Sequence, residues 1–178
     1  MPPKNSNLKD NIRTFISKEG ELLKEPSDPT VQFVFVFSFP KGRDPKTGKP
    51  TRPIFQIIKQ KKTPTLQINS RMAFEDSDID EFKGKNKLED FKEKIRLICL
   101  SRDIDYEYIS AGADRFKDKK ESCIIFDKLN LPLTQYDFWK GIRHLYFTGL
   151  LIAEVFKSFK QGKSSGNGDY SSSSGLYI

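Results

Sequence analysis

The apolar residues near the start of the chain recur at helical spacing. Pro26 and Pro29 interrupt this pattern, because a proline ends the helix that precedes it. The spacing therefore predicts a first helix from about Asn7 to Lys24, with one apolar stripe that faces a sheet. The residues of this stripe are Leu8, Ile12, Phe15, Ile16, Leu22 and Leu23.

The next apolar run, from Val31 to Phe39, consists of β-branched and aromatic residues and predicts a strand. Both of its faces are apolar, which is typical of a central strand. One face carries Phe33, Phe35, Phe37 and Phe39, and the other carries Val34 and Val36. Two more strands, Ile54 to Lys59 and Thr65 to Met72, follow short turn-rich connections and complete a three-stranded meander.

The second half of the chain predicts two helices with a hairpin between them. Asn86 and Glu89 have the spacing of a capping box, which predicts a second helix that ends near Arg102. Alternating segments from Ile104 to Ser110 and from Cys123 to Leu129 predict the hairpin. Thr134, with Asp137 three residues later, predicts the start of a third helix that runs to about Phe159. The order is α-β-β-β-α-β-β-α, an α+β domain with an antiparallel sheet.

The third predicted helix has two apolar stripes. The first comprises Phe138, Ile142, Leu145, Gly149, Ile152 and Phe156. The second comprises Trp139, Tyr146, Leu150 and Val155. Because one sheet surface covers one stripe, the second stripe predicts an interface with a second copy of the chain or with another protein. The alternative is that both stripes are buried within the monomer.

Composition divides the chain into three parts. Residues 1–6 are predicted to be a flexible head, residues 7–160 a single domain, and residues 161–178 a disordered tail rich in glycine and serine. The tail carries an apolar tip, Leu176-Tyr177-Ile178. A flexible tether with an apolar, aromatic tip is suited to docking on a partner.

The net charge of +7 has a local origin. Residues 41–62 contain eight basic side chains and a single acidic one, Asp44. The basic residues are Lys41, Arg43, Lys46, Lys49, Arg52, Lys59, Lys61 and Lys62. They form a possible nucleic-acid patch. However, consecutive connections of a meander lie at opposite ends of the sheet, which divides the patch, so nucleic-acid binding is not expected.

Candidate catalytic and metal-binding motifs fail on geometry. Residues 42–49 differ from a phosphate-binding loop in glycine spacing, and Pro50 stands where that loop needs a hydroxyl. The acidic run 76–80 lacks the glycine and the final glutamate of a calcium loop. His144 is the single histidine of the chain. We therefore predict no enzyme, no cofactor or metal, and no small-molecule substrate.

Two features bear on the location of the protein. Cys99 and Cys123 lie in apolar runs, which predicts buried free thiols in a reducing compartment. The first eleven residues lack the apolar core of a signal peptide, and no stretch of about 18 residues is apolar enough for a membrane helix. The prediction is a cytoplasmic protein without a membrane segment.

Several segments together resemble a known architecture, the type III secretion chaperone-like fold. They are the strand VQFVFVFSFP, the strand pair RPIFQIIKQ and TLQINSRM, and the long final helix. More narrowly, the pattern is similar to the bacterial YbjN-like proteins and to a related archaeal family of unknown function, over about residues 7–160. The resemblance implies a dimer-forming domain that binds protein segments, and it carries over no catalytic residue.

The tip of the tail has a resemblance of its own. Leu176-Tyr177-Ile178 is similar to the hydrophobic-tyrosine-any motif of proteasome activators and assembly chaperones. That resemblance implies a carboxylate that pairs with a lysine in a pocket of the proteasome ring. The sequence thus favours a non-enzymatic protein-binding module, chaperone-like or an adaptor, as a homodimer. The alternatives are a proteasome-associated factor and a nucleic-acid-binding protein.

Overall fold

The computed structural model describes residues 5–50, 53–111 and 120–161. Within these residues the chain forms four helices and six strands. In chain order they are α1 (Asn5–Glu19), β1 (Glu21–Lys24), β2 (Val31–Ser38), β3 (Ile54–Gln60), β4 (Thr65–Ala73), α2 (Asp76–Gly84), α3 (Leu88–Ser101), β5 (Asp105–Ile109), β6 (Ser122–Asn130) and α4 (Gln135–Lys160).

The strands form one antiparallel sheet in the order β1-β2-β3-β4-β6-β5. The register places Phe35 opposite Ile57 and Ile57 opposite Ile68, so these side chains share one face. On the same face, Ser70 pairs with Ile125. The buried side chains of all four helices join these residues in a single core cluster. Within the described part of the chain, the helices therefore cover one face of the sheet.

The predicted α+β class and antiparallel sheet are confirmed, and β2, β3 and β4 begin at the predicted residues. β2 is not central, however, because β1 lies on its outer side and makes it the second strand from the edge. Both faces of β2 are nevertheless buried, as its apolar pattern indicates.

The first predicted helix is too long, because α1 ends at Glu19 and residues 21–24 form the edge strand β1. Gly20 closes the helix by donating its N–H to the Ile16 carbonyl at 2.8 Å. Leu22 then pairs with Phe37 across the sheet and packs against the core as a strand residue. Its position in the sequence fits the helical stripe equally well, which explains the error.

An additional helix, α2, occupies the acidic segment that follows β4. Its buried apolar side chains, Ile79 and Phe82, lie three residues apart on one face. The predicted capping box of the next helix is wrong, because Asn86 has a φ of 54° and α3 begins after Lys87 without a side-chain cap. Asparagine tolerates this left-handed conformation in the turn between α2 and α3.

The predicted start of the last helix is confirmed. The Thr134 hydroxyl accepts a hydrogen bond from the Asp137 N–H at 3.1 Å, and the Asp137 carboxylate accepts one from the Thr134 N–H at 3.4 Å. This reciprocal capping box satisfies N–H groups that have no partner within the helix. α4 then continues for 26 residues across the sheet and past α3.

Candidate functional site

The first two residues of the second apolar stripe of α4 are covered within the monomer. Trp139 is 2% exposed, and its ring lies 4.9 Å from that of Phe39. Tyr146 makes an edge-to-face contact with Phe39 at 5.7 Å. Phe39 follows the end of β2, so the chain beyond the strand covers a stripe that the sheet alone does not reach. Trp139 is therefore a core residue, and its predicted role at an interface is wrong.

The other two residues of that stripe lie on separate sides of α4. Leu150 is exposed beside Tyr146, whereas Val155 is half-buried and faces α3. α4 exposes two further apolar residues that belong to neither predicted stripe: Phe147, beside the end of β6, and Leu151, which faces α3. The side of α4 that faces α3 is thus apolar at Leu151 and Val155.

α3 lies antiparallel to α4. Near the start of α3, the Phe91 ring is 5.7 Å from Phe156 and 5.6 Å from Phe159, which are close to the end of α4. Just after α3 ends, Arg102 Nε donates a hydrogen bond to Thr148 Oγ1 at 2.8 Å. The aromatic contacts and the polar contact fix the two ends of the helix pair.

A groove of about 640 Å³ runs between the exposed sides of these two helices. Its lining consists of Lys94, Leu97, Ile98 and Ser101 from α3, and Leu151, Glu154, Val155, Ser158 and Phe159 from α4. Each set follows the i, i+3, i+4, i+7 spacing of one helix face. Leu97 is 46% exposed and Leu151 is 44% exposed, so the groove has apolar walls that solvent reaches. We call this surface the α3–α4 groove.

The charges at the α3–α4 groove are unbalanced. Glu154 pairs with Lys157 at 2.6 Å on the side of α4. Glu93 pairs with Arg96 on α3, and this hydrogen bond lowers the pKa of Glu93 and raises that of Arg96. Lys94 is half-buried in the groove and has no acidic partner among residues 5–50, 53–111 and 120–161. The groove therefore presents one positive charge beside apolar side chains.

Helix α2 packs against one end of the α3–α4 pair. Phe82 lies 5.4 Å from Phe91, near the start of α3, and 5.7 Å from Phe159, near the end of α4. Lys160 at the end of α4 pairs with the nearly buried carboxylate of Asp78 at 3.0 Å. These contacts hold α2, α3 and α4 as one layer, which pre-organises the groove.

A buried carboxylate joins this helical layer to the sheet. Glu121 accepts a hydrogen bond from the Tyr108 hydroxyl at 2.6 Å and pairs with Lys83 of α2 at 3.0 Å. The hydrogen bond to Glu121 raises the pKa of Lys83. Burial, together with Glu121, raises the pKa of Tyr108. All these polar atoms have partners within the fold, so we assign the cluster a structural role.

The basic residues of the predicted patch lie apart, as expected for consecutive connections. The β2–β3 connection follows Ser38, and the β3–β4 turn follows Gln60 at the other end of β3. Lys59 is 4% exposed and donates hydrogen bonds to the carbonyls of Gln60 and Thr63, and desolvation lowers its pKa. It therefore does not belong to a surface patch.

Other members of the patch are bound within the chain. Arg43 forms an ion pair with Glu21, which raises the pKa of the guanidinium. Lys41 donates to the Ser17 carbonyl at 2.6 Å. Lys46, Lys49, Lys61 and Lys62 are exposed, and Arg52 lies outside the described residues.

The docking residues predicted in the tail, Leu176, Tyr177 and Ile178, also lie outside the described residues, so their role stays a prediction. In the described part of the chain, no three His, Cys, Asp or Glu side chains are grouped as metal ligands. His144 Nδ1 lies 4.0 Å from Asp127 Oδ2. None of the described helices is long and apolar enough to cross a membrane.

The comparisons with known proteins bear on the fold. No family model and no curated protein matches the chain. Among solved structures, the chain is similar to an uncharacterized protein from Methanothermobacter thermautotrophicus, with a TM-score of 0.66 and 15% sequence identity. The match covers 85% of this chain and 97% of that one. The similarity extends over nearly the whole archaeal chain and concerns the fold alone.

Proposed function

We propose that the protein is a non-enzymatic protein-binding module, chaperone-like or an adaptor, which uses the α3–α4 groove. The observation that carries this proposal is the solvent-exposed apolar lining of the groove, with Leu97 and Leu151 on opposite walls. Leu100, three residues after Leu97 on α3, is also exposed. An exposed apolar surface of this kind is typical of a protein interface.

The proposed occupant is an amphipathic helix of another protein. Two antiparallel helices form a trough that a third helix fills with apolar residues at i, i+3, i+4 and i+7. The lining residues from Leu151 to Phe159 extend for about 12 Å along α4, which corresponds to roughly two turns of such a helix. Lys94 selects an occupant with an acidic residue at that position.

The remaining functional hypotheses have less support from the described residues. Homodimerisation stays a prediction. Because Trp139 is buried, a dimer interface on α4 would use the exposed side that includes Leu150. Docking of Leu176-Tyr177-Ile178 on a proteasome ring depends on residues outside the described ranges. A cytoplasmic location is part of the proposal, supported by two buried free thiols, Cys99 and Cys123.

A peptide selection tests the proposed function. We would select binders to the full chain from a phage-displayed library of random 16-residue peptides, and repeat the selection on Leu97→Glu and Ile54→Glu. Ile54 is 47% exposed, at the start of β3, and therefore matches Leu97 in exposure. We expect wild type and Ile54→Glu to enrich apolar residues at helical spacing with an acidic residue among them, and Leu97→Glu to lose these peptides.

Two outcomes would overturn the assignment of the groove as the binding surface, and a third would change its occupant. One is the absence of any enriched peptide on the wild-type protein. The other is enrichment of the same peptides on Leu97→Glu, which would place the binding surface elsewhere. If sedimentation shows a dimer that Leu97→Glu dissociates, the occupant is a second copy, and the proposed partner helix is wrong.

A further inference from the structure

The end of α4 lies at one end of the α3–α4 groove. α4 ends at Lys160, and Phe159, at its last turn, belongs to the groove lining. The described part of the chain therefore ends, at Gln161, two residues beyond a lining residue of the groove. The groove then extends back along α4 from Phe159 to Leu151, a length of about 12 Å.

The tail is long enough to turn back over the groove. Fourteen residues rich in glycine and serine, 162–175, separate α4 from Leu176-Tyr177-Ile178. A linker of this composition and length spans about 20 Å on average, which exceeds the length of the groove. The apolar residues at positions 176–178 therefore have access to both Leu97 and Leu151 without strain on the linker.

The chemistry of the tail matches that of the groove in kind and in order. From the end of α4, the α3 wall presents first Lys94, then the apolar Leu97 and Ile98. The tail presents first Asp169, its single acidic residue in 162–178, and then the apolar tip. If the tail folds back along the groove, Asp169 therefore lies near Lys94, and the apolar residues that follow it lie near Leu97 and Leu151.

We infer that the tail of the same chain occupies the α3–α4 groove and competes with the partner helix. This inference rests on the proposed function, because it assigns a regulator to the same groove. The tail is an intramolecular substitute for the partner: the tip fills the apolar part, and Asp169 pairs with Lys94. A short three-residue tip binds weakly, but the linker gives it an effective concentration on the order of millimolar. A partner with a longer apolar face therefore displaces it.

Methyl NMR of the full chain tests the occupancy without any partner. The test variant replaces Leu176, Tyr177 and Ile178 by serine, and the matched control replaces Ser171, Ser172 and Ser173 by glycine. We expect the test variant to shift the methyl resonances of Leu97, Leu151 and Val155, and to leave those of Ile54 unchanged. The control variant should reproduce the wild-type spectrum.

A spin label distinguishes the chain's own tail from that of a second copy. Cys99 and Cys123 are fully buried, so a thiol reagent labels an introduced cysteine at Ser173→Cys. The label should broaden the Leu97 and Leu151 methyl signals of its own chain. It should not broaden those of an isotope-labelled, spin-free copy in a mixture. Broadening confined to the second copy, or identical methyl spectra for wild type and the serine variant, would overturn the inference.

The affinity of a selected groove-binding peptide gives a second readout. If the tail leaves the groove empty in about one third of the wild-type molecules, the serine variant should bind the peptide about threefold more tightly than wild type. An equal affinity would contradict competition by the tail. The NMR measurement uses no peptide. A failed peptide selection would therefore refute the proposed partner helix, and the spectra would still test whether the tail occupies the groove.

Discussion

Two glycines differ in the space around them, and this difference predicts opposite effects of the same substitution. A Cβ atom at Gly149, inside α4, would lie 3.8 Å from Met72 Sδ, an ordinary contact distance. A Cβ atom at Gly20 would lie 2.9 Å from the Ser38 backbone carbonyl, which cannot move aside independently of the sheet.

We expect Gly149→Ala to raise the free energy of unfolding by about 0.8–1 kcal/mol, because alanine favours a helix interior over glycine. Gly20→Ala should lower it by about 1–3 kcal/mol through overpacking. Urea unfolding with unchanged m-values measures both changes. A destabilised Gly149→Ala would contradict the packing described for α4.

The two cysteines provide a pH-dependent test of the core. Burial disfavours the thiolate and raises the pKa of Cys99 to about 11 and that of Cys123 to about 12. Their contribution to stability is present below the ordinary thiol pKa of 9.0 and is lost as the pH rises toward 11–12. At pH 8 the thiolate is therefore scarce in the folded protein.

We expect an aromatic disulfide reagent at pH 8 to modify neither thiol in the native protein and both in urea. The chromophore released per chain measures the reaction. Modification of either cysteine in the native protein at the rate of a free thiol would show that Cys99 or Cys123 is accessible.

At the scale of elements, the capping box at the start of α4 can be tested alone. Thr134 and Asp137 are both exposed and bond to each other, so their removal creates no cavity in the core. Thr134→Ala should reduce the free energy of unfolding by about 1 kcal/mol, because an N–H at the helix start loses its acceptor. The exposed Thr63 lies in a turn outside the helices, and Thr63→Ala, the control, should cost less. Equal losses in urea unfolding would contradict the assigned cap.

Strands β2 to β6 and helix α4 could be predicted from the sequence because each has a distinctive local pattern. Residues 31–38 form a β-branched and aromatic run that is long enough to define β2, and Thr134 with Asp137 defines the start of α4. Leu22 fits both a helical and a strand pattern, and the deciding contact is its pairing with Phe37, far along the chain. The capping box at Asn86 failed for a similar reason: the turn after α2 fixes the backbone there.

α2 and the α3–α4 groove could be predicted less well. α2 is short and mostly acidic. Its two apolar residues, Ile79 and Phe82, are too few to define a helical pattern, and the helix is stabilised by packing against α3 and α4. A signal for the groove did exist in α3, since Leu97 and Leu100 lie off the stripe formed by Phe91 and Ile95. Which apolar side of α4 stays exposed depends on the contacts of Phe39 with Trp139 and Tyr146, which no local pattern encodes.

At the scale of the whole molecule, the separation of basic residues predicts weak binding to nucleic acids. Lys46 and Lys49 lie in the β2–β3 connection, and Lys61 and Lys62 lie at the opposite end of β3. Titrations with duplex and single-stranded DNA and RNA should show salt-dependent association weaker than about micromolar at physiological salt. Neutralising either pair should have a small and independent effect. Tighter binding that neutralising one pair abolishes would contradict this prediction.

The central claim concerns the α3–α4 groove as a binding surface for an apolar helix. Its most direct test is the dissociation constant of a selected, fluorescently labelled helical peptide, measured by anisotropy with three full-length proteins: wild type, Leu151→Glu and Ile54→Glu. A buried, unpaired carboxylate in the groove should weaken binding by more than about tenfold in Leu151→Glu. Ile54→Glu should bind like wild type. Equal dissociation constants for wild type and Leu151→Glu would contradict the claim.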